Sequence, residues 1–290
     1  MVWTVRVVDV TGSTNADLVQ AARDGERGPT VLVARAQTAG RGRLDRSWHS
    51  APGASVSVSV LVAPAVPQAA WTWLPALVGL AVLDACALLG ARVGTDVGAV
   101  GLKWPNDVVV VERDVDAGGG DAGGGPGVDP GADPRVGAEG ARTGLAKLAG
   151  ILAEAVVGPD HAAVVLGVGV NLTEPDLTDP DQGGLAGARA ASLSTLLGRP
   201  VDLDEVVPVL VEALRARLLG WEAAGGDAAA AGVVADYRRV CTTLGRHVRA
   251  VSPGVVRGGV AVDLAADGSL VLDGPGGLVL VTAGDVEHLR

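Results

Sequence analysis

The chain has 290 residues, 48% of them apolar, and a formal net charge of −10. This length favours a main domain with a smaller companion, and an acidic chain without a long Lys/Arg run is unsuited to general nucleic-acid or membrane-surface binding. Cys86 and Cys241 are too few and too far apart for a disulfide framework. The opening "MVWTVRVVDV" lacks the basic start and apolar run of a signal peptide. The longest apolar stretch, Val66–Leu89, carries Pro75 and Asp84 and reads as a core helix, so a cytoplasmic protein with no membrane partner is expected.

In chain order, Thr4–Val10 reads as a strand and Thr11–Asn15 as a polar turn. "NADLVQAARDG" has helical spacing, with an N-cap near Ser13 or Thr14 and Gly25 as its stop. Thr30–Gln37 is strand-like, and the glycine- and arginine-rich loop "TAGRGRLDRSWHSAPGA" follows it. Ser55–Val62 alternates strictly, which predicts a half-buried strand. Gln68–Gly90 predicts one long apolar helix. Lys103 and Val108–Val111 flank Pro105 and Asn106 as two short strands or one bent strand. Residues 113–143 are nearly devoid of large apolar side chains and are expected to be a disordered insertion. Ile151–Val157 and Ala163–Val170 predict a strand pair, and Asp204–Leu219 and roughly Asp227–Val240 predict helices. From Gly245 onward short apolar strands alternate with Pro-Gly, Asp-Gly and Gly-Gly turns, the pattern of a small β-barrel. The expected organisation is a mixed α+β unit over residues 1–240 and a β-module over 245–290.

Several places have chemical character. Arg41, Arg43 and Arg46 are spaced through a loop loosened by Gly40 and Gly42, and guanidinium forks beside open backbone N–H groups suit a carboxylate or phosphate. Trp48 offers a flat face just beyond, and a solvated Arg-rich loop has the same composition. No P-loop signature is present. The chain has 21 arginines but only two lysines, Lys103 and Lys147, both in strand-like apolar segments. A charge there is costly unless an anion meets it, and an ammonium swivels where a planar guanidinium does not. Asp107, four residues after Lys103, can pair with that lysine or act as an acceptor. "STN" (Ser13–Asn15) also suits an ordinary helix cap, while "GVGVN" (Gly167–Asn171) lets a ligand approach closely. His49, His161, His247 and His288 are scattered without metal-ligand spacing, so no metal site is expected.

Taken in order, "STN", "QTAGRGRLDRSW", "KWPND", "KLAGIL" and "GVGVN" resemble the biotin protein ligases, over about Val5–Leu172. The resemblance implies a class II synthetase-like fold, a mixed and largely antiparallel sheet with flanking helices, followed by a small SH3-like β-barrel. It implies activation of biotin by ATP and Mg²⁺ to biotinyl-5′-AMP, then transfer to a lysine of the biotin carboxyl carrier domain of an acyl-CoA carboxylase. By the same resemblance Ser13, Thr14, Asn15, Gln37, Gly40, Arg41, Gly42, Arg43, Lys147 and Gly150 bind biotin. Arg41, Arg46, Trp48, Lys103, Asn106 and Asn171 contact the nucleotide. Lys147 is the central cation, with Arg43 and Lys103 as further cations, and Asp107 orients or deprotonates the acceptor lysine. The family loop commonly reads GRGRxGRxW, so Asp45 departs from it by replacing a glycine. No helix-turn-helix precedes Val5, and a ligase without repressor function and without a DNA partner is expected. Lipoate ligases and non-catalytic biotin sensors are the alternatives, separable by the acyl group transferred and by ATP turnover.

Overall fold

The structure, a computed structural model, describes residues 3–44, 46–48, 52–98, 100–113, 143–158, 161–174, 189–252 and 254–289. Asp45 and residues 114–142, the bulk of the expected insertion, lie outside them. The chain runs β1 (Thr4–Thr11), α1 (Thr14–Arg23), β2 (Thr30–Gln37), β3 (Ser55–Val62), a 3₁₀ turn (Gln68–Trp73), α2 (Leu74–Val93), β4 (Val100–Lys103), β5 (Asp107–Arg113), β6 (Thr143–Val157) and β7 (Ala162–Asn171). It continues with β8 (Arg189–Ala190), α3 (Leu193–Leu197), α4 (Leu203–Ala223) and α5 (Val233–Val240). The last strands are β9 (His247–Ser252), β10 (Val255–Leu264), β11 (Leu270–Gly274), β12 (Gly277–Val281) and β13 (Asp285–His288). The main sheet has the order β1-β2-β3-β7-β6-β5-β4, with β8 beside β6, and the second sheet the order β12-β11-β10-β9-β13. Only β1·β2 and β6·β8 are parallel among the described ladders, so the α+β architecture is mixed and largely antiparallel.

Three elements differ from expectation for physical reasons. Pro75 lacks an N–H and fits the first turn of a helix but not its interior, so the apolar stretch divides into the 3₁₀ turn and α2. Together they are long and apolar enough to cross a membrane, yet 67% of the qualifying window is buried inside the protein. β6 starts at Thr143 rather than Ile151, which puts Lys147 inside a 15-residue strand. α5 starts at Val233, after turns that end on Gly232 at φ 74°.

Ser55–Val62 is buried along its whole length instead of half buried. β3 is a central strand, and each of its faces is covered. Val56, Val58, Val60 and Val62 join α2, α4 and the fully buried Trp221 in the principal core. The opposite face lies under α1, whose Leu18, Val19 and Ala22 pack with Leu61, Val156 and Val165. A fully buried Leu or Val contributes about 1.5–3 kcal/mol, so both layers clamp the middle strands.

The principal core runs on into the second sheet through Val248, Ala250, Leu270 and Leu272. Two indoles add directional contacts across the same junction. Trp73 Nε1 donates to Ala266 O (2.8 Å) and Trp104 Nε1 to Gly268 O (3.0 Å), both in the turn between β10 and β11. The Trp104 backbone N–H also donates to Thr243 Oγ1 (3.0 Å). Trp104→Phe keeps most of the ring but orphans the Gly268 carbonyl, and should lower unfolding free energy by about 1–2 kcal/mol in urea titration. An unchanged midpoint would show that this bond contributes nothing.

Candidate active site

Residues directly opposed in a ladder share a face of the sheet. Ser57 faces Gly169, Gly169 faces Gly150, Gly150 faces Asp107, and Asp107 faces Lys103. The neighbouring row runs Ser59, Gly167, Leu152. The "SVSVSV" and "GVGV" alternations therefore send valines into the core and leave serines and glycines as the floor of a trough. Absent side chains are what the trough requires. A Cβ on Gly169 would stand 2.3 Å from the Trp48 ring, one on Gly150 3.0 Å from it, and one on Gly167 2.0 Å from Asn15 Oδ1. The Trp48 indole thus lies on the Gly150–Gly169 floor, and its buried Nε1 meets no acceptor among the described residues.

At one end of the trough α1 begins. The Ser13 hydroxyl accepts from Ala16 N (3.4 Å), an ordinary cap. Thr14 donates to Gln37 Oε1 through both its backbone N (2.8 Å) and its hydroxyl (3.1 Å), and the same hydroxyl meets Ser59 Oγ at 2.7 Å. Ser59 donates to Asn15 Oδ1 (2.5 Å), and Asn15 Nδ2 donates to Glu154 Oε2 (2.9 Å). Ser13, Thr14, Asn15 and Ser59 are nearly inaccessible, with Asn15 only 5% exposed, while Gln37 and Glu154 are partly open to solvent. Such a network stays buried because its members satisfy one another.

The Gly/Arg loop closes on itself as a small hairpin. Trp48 N donates to Gly40 O and Gly42 N to Arg46 O. Leu44 sits in the left-handed region at φ 54°. Gly40 is demanded by crowding rather than by mobility, since a Cβ there would lie 2.2 Å from Trp48 O. Each arginine reaches a different element: Arg41 pairs with Glu154 of β6 (3.3 Å), Arg43 donates to Asn106 Oδ1 (2.9 Å), and Arg46 pairs with Asp285 of β13. Burial pulls the Arg43 guanidinium below its usual pKa, against the opposing pull of Asp285 and Asp107.

At the other end Lys147 Nζ pairs with Asp107 Oδ1 at 2.8 Å. In a regular strand, positions 147 and 150 would face opposite sides of the sheet. The β5–β6 ladder shifts register here: Val109 faces Lys147 while Val108 faces Ala149, so Leu148 is an extra residue. This bulge turns Lys147 onto the same face as Gly150 and Asp107. The ammonium also lies 5.6 Å from the Trp48 ring centroid. Asn106 Nδ2 donates to Ile151 O (3.1 Å) and fixes the "KWPND" hairpin to β6. Asn171 Nδ2 donates to Lys147 O (3.2 Å) and Ala191 O (3.1 Å), tying β7 to the backbone on either side.

Asp107 is thus the partner of Lys147 and not of Lys103. Among the described residues no carboxylate lies within ion-pair distance of Lys103, which stands at the β4 end of the row. Its charge also bears on His288 of the second sheet. The sequence did not single out Ser57, Ser59, Glu154 or Asp285. The alternating serines carried a signal for the first two. Nothing local marked Glu154 or Asp285, which meet the loop only through folding.

Comparison with solved structures places the fold. The protein matches the biotin protein ligase from Aquifex aeolicus in complex with biotin and ATP with a TM-score of 0.69, at 21% identity and covering 99% of each chain. It matches the Leishmania major enzyme in complex with biotinyl-5-AMP at 0.55, with 19% identity over 99% of this chain and 98% of that one. The architecture is that of the biotin/lipoate-type protein ligases. Residues 7–171 match the biotin/lipoate A/B protein ligase family, and residues 243–289 match the biotin protein ligase C terminal domain. A biotin--[acetyl-CoA-carboxylase] ligase from Mycobacterium tuberculosis is 39% identical over 98% of this chain and 88% of its own. The chain belongs to the biotin protein ligase family.

The junction beside Lys103 has a measurable signature. Burial, reinforced by the charges of Lys103 and Arg246, pushes His288 down to about 4, and its Nε2 lies 3.2 Å from Thr243 Oγ1. The folded protein keeps this ring neutral through a range in which the unfolded chain protonates it, near 6.5. Between these values the unfolded state binds more protons, so stability falls as pH drops through the window. The loss attributable to His288 should be on the order of 2 kcal/mol. Urea titrations at pH 7 and pH 4 should show a smaller drop for His288→Asn than for the parent; equal drops would contradict the assignment.

Proposed function

We propose that the protein is an ATP-dependent biotin protein ligase. It joins biotin to ATP to give biotinyl-5′-AMP and pyrophosphate, then passes the biotinyl group to a lysine of the biotin carboxyl carrier domain of an acyl-CoA carboxylase. The observation that carries this reading is the trough itself: a floor of glycines and serines, a polar network at one end and a paired ammonium at the other. The M. tuberculosis relative is named for this ligation, and the A. aeolicus neighbour was solved with biotin and ATP.

The residues divide the work by chemistry. The Thr14–Gln37–Ser59–Asn15 network suits a small polar ring such as the biotin ureido group, which can take over hydrogen bonds that the members otherwise make to one another. Ser13 serves this end by capping α1, while Gly40, Gly42 and Gly150 let the backbone come close. Lys147 meets the biotin carboxylate and the α-phosphate, two anions that must approach each other for the carboxylate oxygen to bond to phosphorus as pyrophosphate leaves. A fixed cation there stabilises the charge that gathers in the transition state. Arg43, Arg41 and Arg46 neutralise the phosphates from above, and Trp48 leaves the floor to cover the adenine. Asn106 and Asn171 hold the hairpin and strand ends that border the nucleotide, with Lys103 at the margin as a more distant cation.

Asp107 has a role in each half-reaction. It holds Lys147 before substrate arrives, and once the ammonium turns to the ligand its carboxylate is released. It can then take the proton of the acceptor lysine as that amine attacks the acyl carbon and AMP departs. Among the described residues no three His, Cys, Asp or Glu converge to hold a metal ion. Mg²⁺, implied by the resemblance, would be held by the triphosphate oxygens of ATP, where it would offset their charge. The reading includes a cytoplasmic site of action, in keeping with free cysteines and a Cys86 thiol that burial pushes up to about 12.

Incubation with biotin, MgATP and a purified acceptor domain, followed by intact-mass measurement, should show a biotin-sized increment. A lipoyl-sized increment with lipoate, or none with biotin, would overturn the reading. In the same preparation Lys147→Arg should lower biotin-dependent pyrophosphate release about 100-fold or more, and a full rate would remove Lys147 from its role.

A further inference from the structure

We infer that Asp285, a carboxylate of the C-terminal sheet, is a positioning residue for the arginine loop: by holding Arg46 it keeps the loop seated over the trough before any nucleotide binds. The function of this contact rests on the ligase reading given above, but the contact itself does not.

The loop's backbone bonds close its hairpin, but its tip has little of its own to hold it. Its turn passes through Leu44 at φ 54°, a conformation that residues with a Cβ seldom adopt. Leu44 is 54% exposed and so gains little by packing. Arg43 and Arg46 also carry like charges close enough for Arg46 to lower the Arg43 pKa. Until phosphate arrives, something else has to supply the negative charge that brings them together. Asp285 does so for both, as the ion-pair partner of Arg46 and as the leading opposing charge on Arg43. Its own place is firm. It opens β13, opposite Val251 of β9, and the preceding Gly284 is packed so tightly that a Cβ there would lie 2.6 Å from Val251 O.

The arrangement gives the second sheet a part in the site. Arg41 and Arg43 are held by β6 and the "KWPND" hairpin, which belong to the main sheet, whereas Arg46 is held from outside it. Nucleotide then meets a loop already ordered and spends less of its binding energy on ordering it. The pair is partly open to solvent, with side-chain exposures of 52% for Arg46 and 26% for Asp285. A contact of that kind shifts an equilibrium by about two- to fivefold.

Limited trypsinolysis of the full-length, nucleotide-free protein reads the tether directly. Asp285→Asn should speed cleavage after Arg41 and Arg43 by about two- to fivefold and raise KM for ATP by a similar factor, with kcat and Tm unchanged. Glu287→Gln, on the same strand as Asp285, removes the surface pair with Arg249 of β9 and should change neither quantity. Arg46→Asp alone should open the loop, and Arg46→Asp combined with Asp285→Arg should close it again. Parental cleavage rates in Asp285→Asn, or a charge-swapped protein cut as fast as Arg46→Asp alone, would overturn the inference. Because cleavage is read without substrate, a protein that keeps the tether yet fails to biotinylate would sink the ligase reading and leave this one standing.

Discussion

The ion pair between Lys147 and Asp107 is the constraint around which the site is organised. Both side chains are about four-fifths removed from solvent, where an unpaired charge would be costly. Meeting that constraint requires strand β6 to deliver a lysine onto the glycine face, and only the bulge at Leu148 does so. It also requires β5 to begin at Asp107, which the "KWPND" hairpin sets by locking Asn106 to Ile151. An ammonium can pivot among oxygen partners without leaving its place. A guanidinium in the same place would have to swing its whole planar fork. That difference is a physical reason for a lysine here in a chain that holds only one other, Lys103.

The surrounding structure is economical in a related sense. The glycine and serine floor depends on valines of the same strands filling the core below, so the two faces of β3 and β7 are two consequences of one alternation. Glu154 serves the polar network and the loop together, accepting from Asn15 and pairing with Arg41. The polar end of the trough and the arginine loop therefore share a carboxylate. Through Trp73, Trp104 and Asp285 the second sheet braces the long apolar helix region, the hairpin and the loop.

Much of this was legible in the sequence where a signal is local. The loop, the hairpin and the "GVGVN" strand announce themselves by composition, and the two lysines stand out against an arginine background. The β-module followed from its turns. What the sequence left hidden is non-local. A period of two over "KLAGIL" places Lys147 and Gly150 on opposite faces, and only the paired strand reveals the extra residue between them. The spacing of Lys103 and Asp107 invites a pairing that the fold redirects to Lys147. "SVSVSV" reads as half-exposed because α1, which packs on Leu61 and bonds Ser59, comes from a different part of the chain. Asp285 lies 239 residues from Arg46, and no pattern around either residue anticipates their contact.

The central claim concerns which anion Lys147 serves. A crystal structure of the protein with biotinyl-5′-AMP bound tests it most directly. The account predicts Lys147 Nζ within hydrogen-bonding distance of an oxygen at the acyl–phosphate junction, with the Asp107 carboxylate turned free beside it. An ammonium still locked to Asp107 and remote from every ligand oxygen would contradict it.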